Sequence, residues 1–232
     1  MTALRLVPEG HSMQLPIAKT ARSGTRQVVF CRQWDRVSDM NLELMTNRTK
    51  LTPLDLADVD VALEMFTDPE VTKFAGSVMS EDKIRREMST WIKRGGNGCI
   101  GIWCISDRDT GEKYGSCALL PLPIDDDDTD WGLVIPDVMP DGDVGVGYFL
   151  KQSSWGKGIA TEVCRRLLEF VFKNTSLEAV VATIDDENHK SENVLLKTGF
   201  VYKGRMRAYG EDSSHFRIER EKWVELTGDK NS

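Results

Sequence analysis

The chain is poor in the residues that build metal and disulfide chemistry. Its 232 residues include only three histidines, His11, His189 and His215, scattered without metal-ligand spacing. The five cysteines, Cys31, Cys99, Cys104, Cys117 and Cys164, are odd in number and form no C-x-x-C pair. That argues against a structural zinc site and against a secreted disulfide framework. No metal is expected, and a reducing cytoplasm is the expected compartment. No apolar run approaches the ~18 residues of a membrane span, so no membrane partner is expected. Basic charge is also short: 30 Lys and Arg stand against 37 Asp and Glu, a net −7. Nucleic-acid binders are usually basic, so that partner class is set aside. No internal repeat is visible. What is present, 40% hydrophobic and 29% charged residues, is ordinary for a globular protein.

Residues 1–43 read as an N-terminal extension, flexible or accessory. Positions 1–28 carry Arg5, Lys19, Arg22 and Arg26 against one acid, Glu9, and hold no signal-peptide core. Residues 44–232 read as the folded domain. "LMTNRTKLTPL" (44–54) suggests a short strand, and "DLADVDVALEMFTD" (55–68) a helix opened by Asp55. "SEDKIRREMSTWIKRGG" (80–96) is a second helix, with Ser80 as cap and Gly95-Gly96 as its end. Strands are expected at 99–106 and 114–122 around the turn "DTGE", and then a polar, acidic insert at 123–142. The insert reads either as a lure for a cationic substrate or as a solvated loop. "VGVGYFL" (144–150) is a strand containing two glycines, which often mark a bulge or a close approach. A helix over 156–173, a buried strand at 177–184 and a short helix at 189–199 follow, then final strands at 200–209 and 214–221. This order favours an α/β (α+β) fold with a central sheet.

The stretch "SSWGKGIATE" (153–162) places two glycines just ahead of a helix. A helix start leaves bare N–H groups and about half a positive charge, and glycines let the chain close on an anion. A tight turn without a ligand is the plain alternative. The P-loop pattern fails, because Lys151 sits where its first glycine belongs and Gly158 follows Lys157. The dinucleotide pattern G-x-G-x-x-G fails at Thr161.

Four stretches in order carry a family resemblance: 44–76, "VGVGYFLKQSSWGKGIATE" (144–162), "NHKSENVLLKTGF" (188–200) and "IEREKW" (218–223). Together they resemble the GNAT superfamily of N-acetyltransferases, especially its ribosomal-protein-alanine acetyltransferase-like branch. The resemblance implies a mixed, mostly antiparallel sheet splayed at the acetyl-CoA strand, with helices on both faces. It implies acetyl-CoA as co-substrate, an amine acceptor, and a monomer or homodimer. The amides of Trp155, Gly156, Lys157, Gly158, Ile159 and Ala160 would hold the CoA diphosphate. Tyr148, Phe149 and Leu150 would pair their main chain with the pantetheine arm, as an added strand does, beside a bulge that explains Gly145 and Gly147. Asn188 would reach the same arm, or cap the helix that follows it.

Three positions depart from the family pattern, the first being Trp155, which opens the loop where Gln or Arg is usual. Gly145 stands where many members carry a glutamate that takes the amine's proton, and Leu195 where many carry a tyrosine that protonates the thiolate. The catalytic candidates left are Glu187, with Asp185 and Asp186, for the amine proton, and Ser191 or Tyr148 for the thiolate. A site without a strong base suits an acceptor that is easily neutralised. At pH 7 a lysine-type amine costs about 4.6 kcal/mol to deprotonate and a peptide α-amine only about 1–1.4. A protein or peptide α-amine is therefore the expected acceptor. A polyamine or antibiotic acceptor, and a non-catalytic acyl-CoA-binding module, are the alternatives.

Overall fold

The structure, a computed structural model, describes residues 40–228. The expected extension falls outside the described residues up to position 39. The described strands are β1 (Leu44–Met45), β2 (Thr49–Pro53), β3 (Gly101–Asp107), β4 (Lys113–Pro121), β5 (Val144–Leu150), β6 (Ala179–Ile184), β7 (Val201–Ala208) and β8 (Glu211–Glu219). They form one sheet in the order β1-β2-β3-β4-β5-β6-β8-β7. Every neighbouring pair is antiparallel except β5 and β6, which are parallel.

The helices are α1 (Val59–Phe66), α2 (Pro69–Thr72), α3 (Glu81–Trp91), α4 (Ile159–Asn174), α5 (His189–Lys197) and α6 (Arg220–Thr227). In α4 the apolar residues recur at helical spacing, so Ile159, Val163, Leu167, Phe170 and Val171 all lie buried on one side. Strand alternation assigns the two faces. Cys104, Ser116 and Phe149 share one row across β3, β4 and β5, and Trp103, Cys117 and Tyr148 the next. Phe149 meets Phe66 of α1 edge-on at 5.2 Å, and Trp103 meets Phe170 of α4 at 5.6 Å. Adjacent rows point to opposite faces, so α1 and α4 cover opposite sides of the sheet.

Four details differ from the sequence-based expectation. The stretch 44–54 is a hairpin, not one strand, because the Thr46 amide turns back onto the Thr49 carbonyl at 2.9 Å. The helix after Ser80 stops at Trp91, and the Gly95 amide already bonds the Ile100 carbonyl at 2.9 Å, turning the chain toward β3. The last strand ends at Glu219 and becomes α6, which carries Trp223 into the core against Phe172 at 5.5 Å. Strand β5 has no bulge: it pairs with β4 through seven unbroken positions, Gly115–Leu150 to Pro121–Val144.

The acidic insert at 123–142 is pinned rather than loose. The Gly96 amide bonds the Ile135 carbonyl at 3.0 Å, and the Tyr209 and Gly210 amides bond the carbonyls of Pro123 and Ile124 at 3.2 and 3.1 Å. Thr129 and Val134 are buried beneath it.

Candidate functional site

The site begins where the sheet comes apart. Strands β5 and β6 share a single register pair, Gly145 with Val181. Beyond it the two strands diverge. The Lys151 amide bonds the Tyr114 carbonyl at 3.0 Å and the Leu122 amide bonds the Asp143 carbonyl at 2.9 Å, so the odd residues of β5 direct their main chain to β4. Val146, Tyr148 and Leu150 therefore turn their polar main-chain groups toward the gap. Phe149, expected to contribute main chain there, turns it to Ser116 instead and sends its ring to the opposite face from Tyr148. Trp155 stands at the mouth, where its Nε1 donates to the Leu150 carbonyl at 2.7 Å and the Lys190 ammonium sits 4.2 Å from its ring centroid.

Helix α4 starts at this mouth. Side-chain oxygens of Asp68, Ser80 and Asn188 cap α2, α3 and α5, but α4, like α1 and α6, has no side-chain cap. Its N-cap is Gly158, held at φ 78, a left-handed conformation that favours glycine. The first amide that closes a turn is that of Glu162, onto the Gly158 carbonyl at 3.1 Å. The amides just before it thus point outward from the helix tip, but that of Trp155, expected to join them, is committed to the Gln152 carbonyl at 3.0 Å. A Cβ placed on Gly156 would meet nothing within 4 Å. Lys157 is exposed, Ala160 half-buried, and Ile159 buried as the anchor of the first turn.

Helix α5 packs against the same gap. Asn188, 2% exposed, accepts from the Ser191 amide at 3.3 Å, so it does cap the helix. The Tyr148 hydroxyl donates to the Ser191 carbonyl at 3.4 Å, which brings two of the sequence-derived candidates together. Ser191 is 1% exposed and its Oγ is buried with no hydrogen-bond partner. A buried hydroxyl left unsatisfied costs about 1–3 kcal/mol. Leu195 is a core residue, fully buried.

Glu187 lies elsewhere. With Asp185 and Asp186 it lines a cavity of about 620 Å³ between the α2–α3 segment, the end of β6 and the β7–β8 turn. Five carboxylates line that cavity, against the cations Lys73 and Arg205. Arg205 bridges Asp186 at 2.5 Å and Asp212 at 2.8 Å, and hydrogen bonds from Ser214 and then Arg205 hold the Asp186 carboxyl below its ordinary pKa. Tyr209, one wall of the cavity, adopts a positive φ of 52, and burial raises its hydroxyl.

Three further groups lie outside the lining of this cavity and gave no sequence signal. Burial pushes the Asp128 carboxyl up to about 6, opposed by the Thr129 amide at 2.7 Å. His215, across from Thr183 of β6, has a buried Nε2 without a hydrogen-bond partner, and burial lowers its pKa. Arg48, in the β1–β2 turn, reaches the Lys157 carbonyl at 2.8 Å. The cysteines are ruled out as nucleophiles among the described residues. Cys99, Cys104, Cys117 and Cys164 are all buried, and burial raises each thiol, those of Cys104 and Cys164 to about 12. No group of three or more His, Cys, Asp or Glu among the described residues is arranged to hold a metal ion. No helix among them is long and apolar enough to cross a membrane.

The sheet thus opens beside a helix tip without a side-chain cap, and a charged cleft lies at the C-terminal end of β6, an arrangement in keeping with an acyltransferase. The chain belongs to the GNAT family: the profile described as Acetyltransferase (GNAT) domain matches residues 48–201, well over half its length. The chain is similar to the uncharacterized N-acetyltransferase p20 of Bacillus licheniformis, 29% identical over 72% of this chain and 86% of that protein. It is also similar to the FsC-acetyl coenzyme A-N(2)-transacetylase of Aspergillus fumigatus, at 23% identity over 79% of this chain and 78% of that one. Among solved structures, the aminoglycoside acetyltransferase AAC(6')-Ib in complex with coenzyme A shares the fold. The TM-score is 0.60, at 15% identity over 78% of this chain and 99% of that chain.

Proposed function

We propose that this N-acetyltransferase moves the acetyl group of acetyl-CoA directly onto a primary amine, most readily the α-amine of a protein or peptide. One observation carries the reading: the uncapped start of α4 opens beside the gap between β5 and β6. The residues present fit the donor. Amides of Gly156 to Ala160 face an anion at the helix tip, Val146, Tyr148 and Leu150 offer main-chain partners to an extended arm, and Ser191 Oγ is a buried hydroxyl in want of one. Bound there, acetyl-CoA supplies an acetyl group activated as a thioester.

The chain's own residues then do three things. They hold donor and acceptor in one frame, which replaces an encounter between two free molecules. The cleft gathers a cationic amine through its excess of carboxylates. Glu187 or Asp185, at the end of β6, takes the amine's proton, and the Ser191 or Tyr148 hydroxyl supports the departing thiolate. With glycine at position 145, no strong base sits on β5 itself, which favours an acceptor of low pKa. The acidic lining gives a second reading some weight, in which a small polycationic amine occupies the cavity. Its volume of about 620 Å³ suits either, since ligand sites span roughly 300–1,000 Å³.

The test is thiol release from acetyl-CoA with a panel of unblocked peptides and with spermidine, at pH 7 and pH 9. Peptides with free α-amines should react at pH 7, while N-terminally blocked, lysine-containing peptides should not. A preference for spermidine at both pH values would select the second reading. Calorimetry showing no CoA binding at millimolar ligand would remove both.

A further inference from the structure

We infer that Arg48 is the positioning residue of the diphosphate loop: it fixes the peptide plane between Lys157 and Gly158 so that the Gly158 N–H faces the ligand. This rests on the reading above that the amides of 156–160 hold a diphosphate. Arg48 comes from the β1–β2 turn, and its guanidinium makes two kinds of contact at once. Its Nη1 donates to the Lys157 carbonyl at 2.8 Å. Its Nε and Nη2 meet Glu162 Oε2 at 2.7 and 2.6 Å. The second oxygen of Glu162 accepts from the Arg48 amide at 3.0 Å and from Thr46 Oγ1 at 2.5 Å.

The consequence follows from the planarity of the peptide bond. There are no cis peptides among the described residues, so the C=O of Lys157 and the N–H of Gly158 point in opposite directions. Holding the carbonyl toward β1–β2 turns the amide to the far side. Gly158 alone would not keep this orientation, because glycine ahead of a helix can flip its neighbouring plane at little cost. Arg48 also answers an electrostatic conflict. Glu162 lies in the first turn of α4, where a carboxylate competes with an incoming anion for the helix's positive end. Glu162 is four-fold hydrogen-bonded and paired with Arg48, and those contacts hold its carboxyl below its ordinary pKa against the opposing effect of burial. The ion pair leaves the tip without net negative charge, and the Arg48 side chain is still 52% exposed.

The experiment is calorimetric titration of the full chain with CoA at fixed ionic strength. Arg48→Gln should weaken CoA binding about tenfold, and Arg48→Lys, which keeps a cationic donor near the Lys157 carbonyl, should recover most of the loss. The control is Arg166→Ala. Arg166 of α4 bonds the Met45 carbonyl at 3.2 Å, so it ties α4 to β1 without touching the loop. Its removal should leave CoA affinity unchanged. Circular dichroism and melting curves verify that each variant is folded. CoA affinity unchanged in Arg48→Gln overturns the inference, and so does an equal loss in Arg166→Ala, which would make Arg48 one tether among others. Failure of the unaltered protein to bind CoA would instead remove the proposed function beneath it.

Discussion

On the proposed function, the donor side and the acceptor side of this molecule are built from different materials. The donor gap is made of main chain: an even-numbered edge of β5, a helix tip and two glycines, walled by buried apolar residues. The acceptor cleft is made of charged side chains drawn from four separate segments. A main-chain site depends on where the backbone runs, so it survives wide variation in side chains. A side-chain site changes with each substitution. The contrast teaches how a chain can share a main-chain site with a broad family while a cleft lined by residues such as Asp185, Glu187 and Arg205 would, on the proposed function, choose its acceptor.

That contrast can be broken from either side. The largest effect is expected at Gly115, which supports β5 from β4 at φ 153. A Cβ there would overlap the Phe149 carbonyl oxygen. Gly115→Ala should cost about 3 kcal/mol or more in urea unfolding and should also weaken CoA binding, because the donor edge shifts with the strand.

Next is Asp128. Its carboxyl is raised to about 6 in the fold, so the stability it contributes is full below its ordinary pKa near 4 and is lost as pH rises through 6. Asp128→Asn stays neutral throughout. It should unfold at higher temperature than the unaltered protein at pH 8, by the equivalent of about 2–3 kcal/mol, and the difference should vanish near pH 4. A gap that widens toward acid would contradict the burial of this carboxyl.

Ser191→Ala should lower kcat about tenfold while leaving the melting temperature within a degree or so, because no hydrogen bond is lost from a hydroxyl that has no protein partner. A stability loss without a kinetic one would make Ser191 a structural residue. The smallest effect is expected at the rim of the cleft: Glu211→Gln, a lining carboxylate with no part in proton transfer, should raise the KM for a cationic acceptor about threefold, less at high salt, with CoA affinity untouched. A change in CoA affinity would mean that the two sides are not separable.

Much of the architecture around the gap was legible in the sequence. The glycine pair at 156 and 158, the β5 run and the Asn188 cap lie within short segments, and local rules suffice to read them. Arg48 was not legible, because its partners Lys157 and Glu162 lie 109 and 114 positions away. Asp128 was hidden in a run of four aspartates: Asp125, Asp126 and Asp127 are exposed while Asp128 is half-buried, and nothing local distinguishes them. The insert looked loose because its anchors are main-chain bonds to Gly96 and to the Tyr209–Gly210 turn, which no side-chain pattern records. Helix α6 was read as the tail of a strand because "FRIERE" alternates as a strand does until Trp223 turns inward.

The one rung between Gly145 and Val181 makes the sheet two plates, five strands and three, sharing a hinge. A guest lodged between them is therefore also a keystone. Its affinity and the stiffness of the whole fold are linked quantities, and saturating it should slow amide exchange in both plates at once.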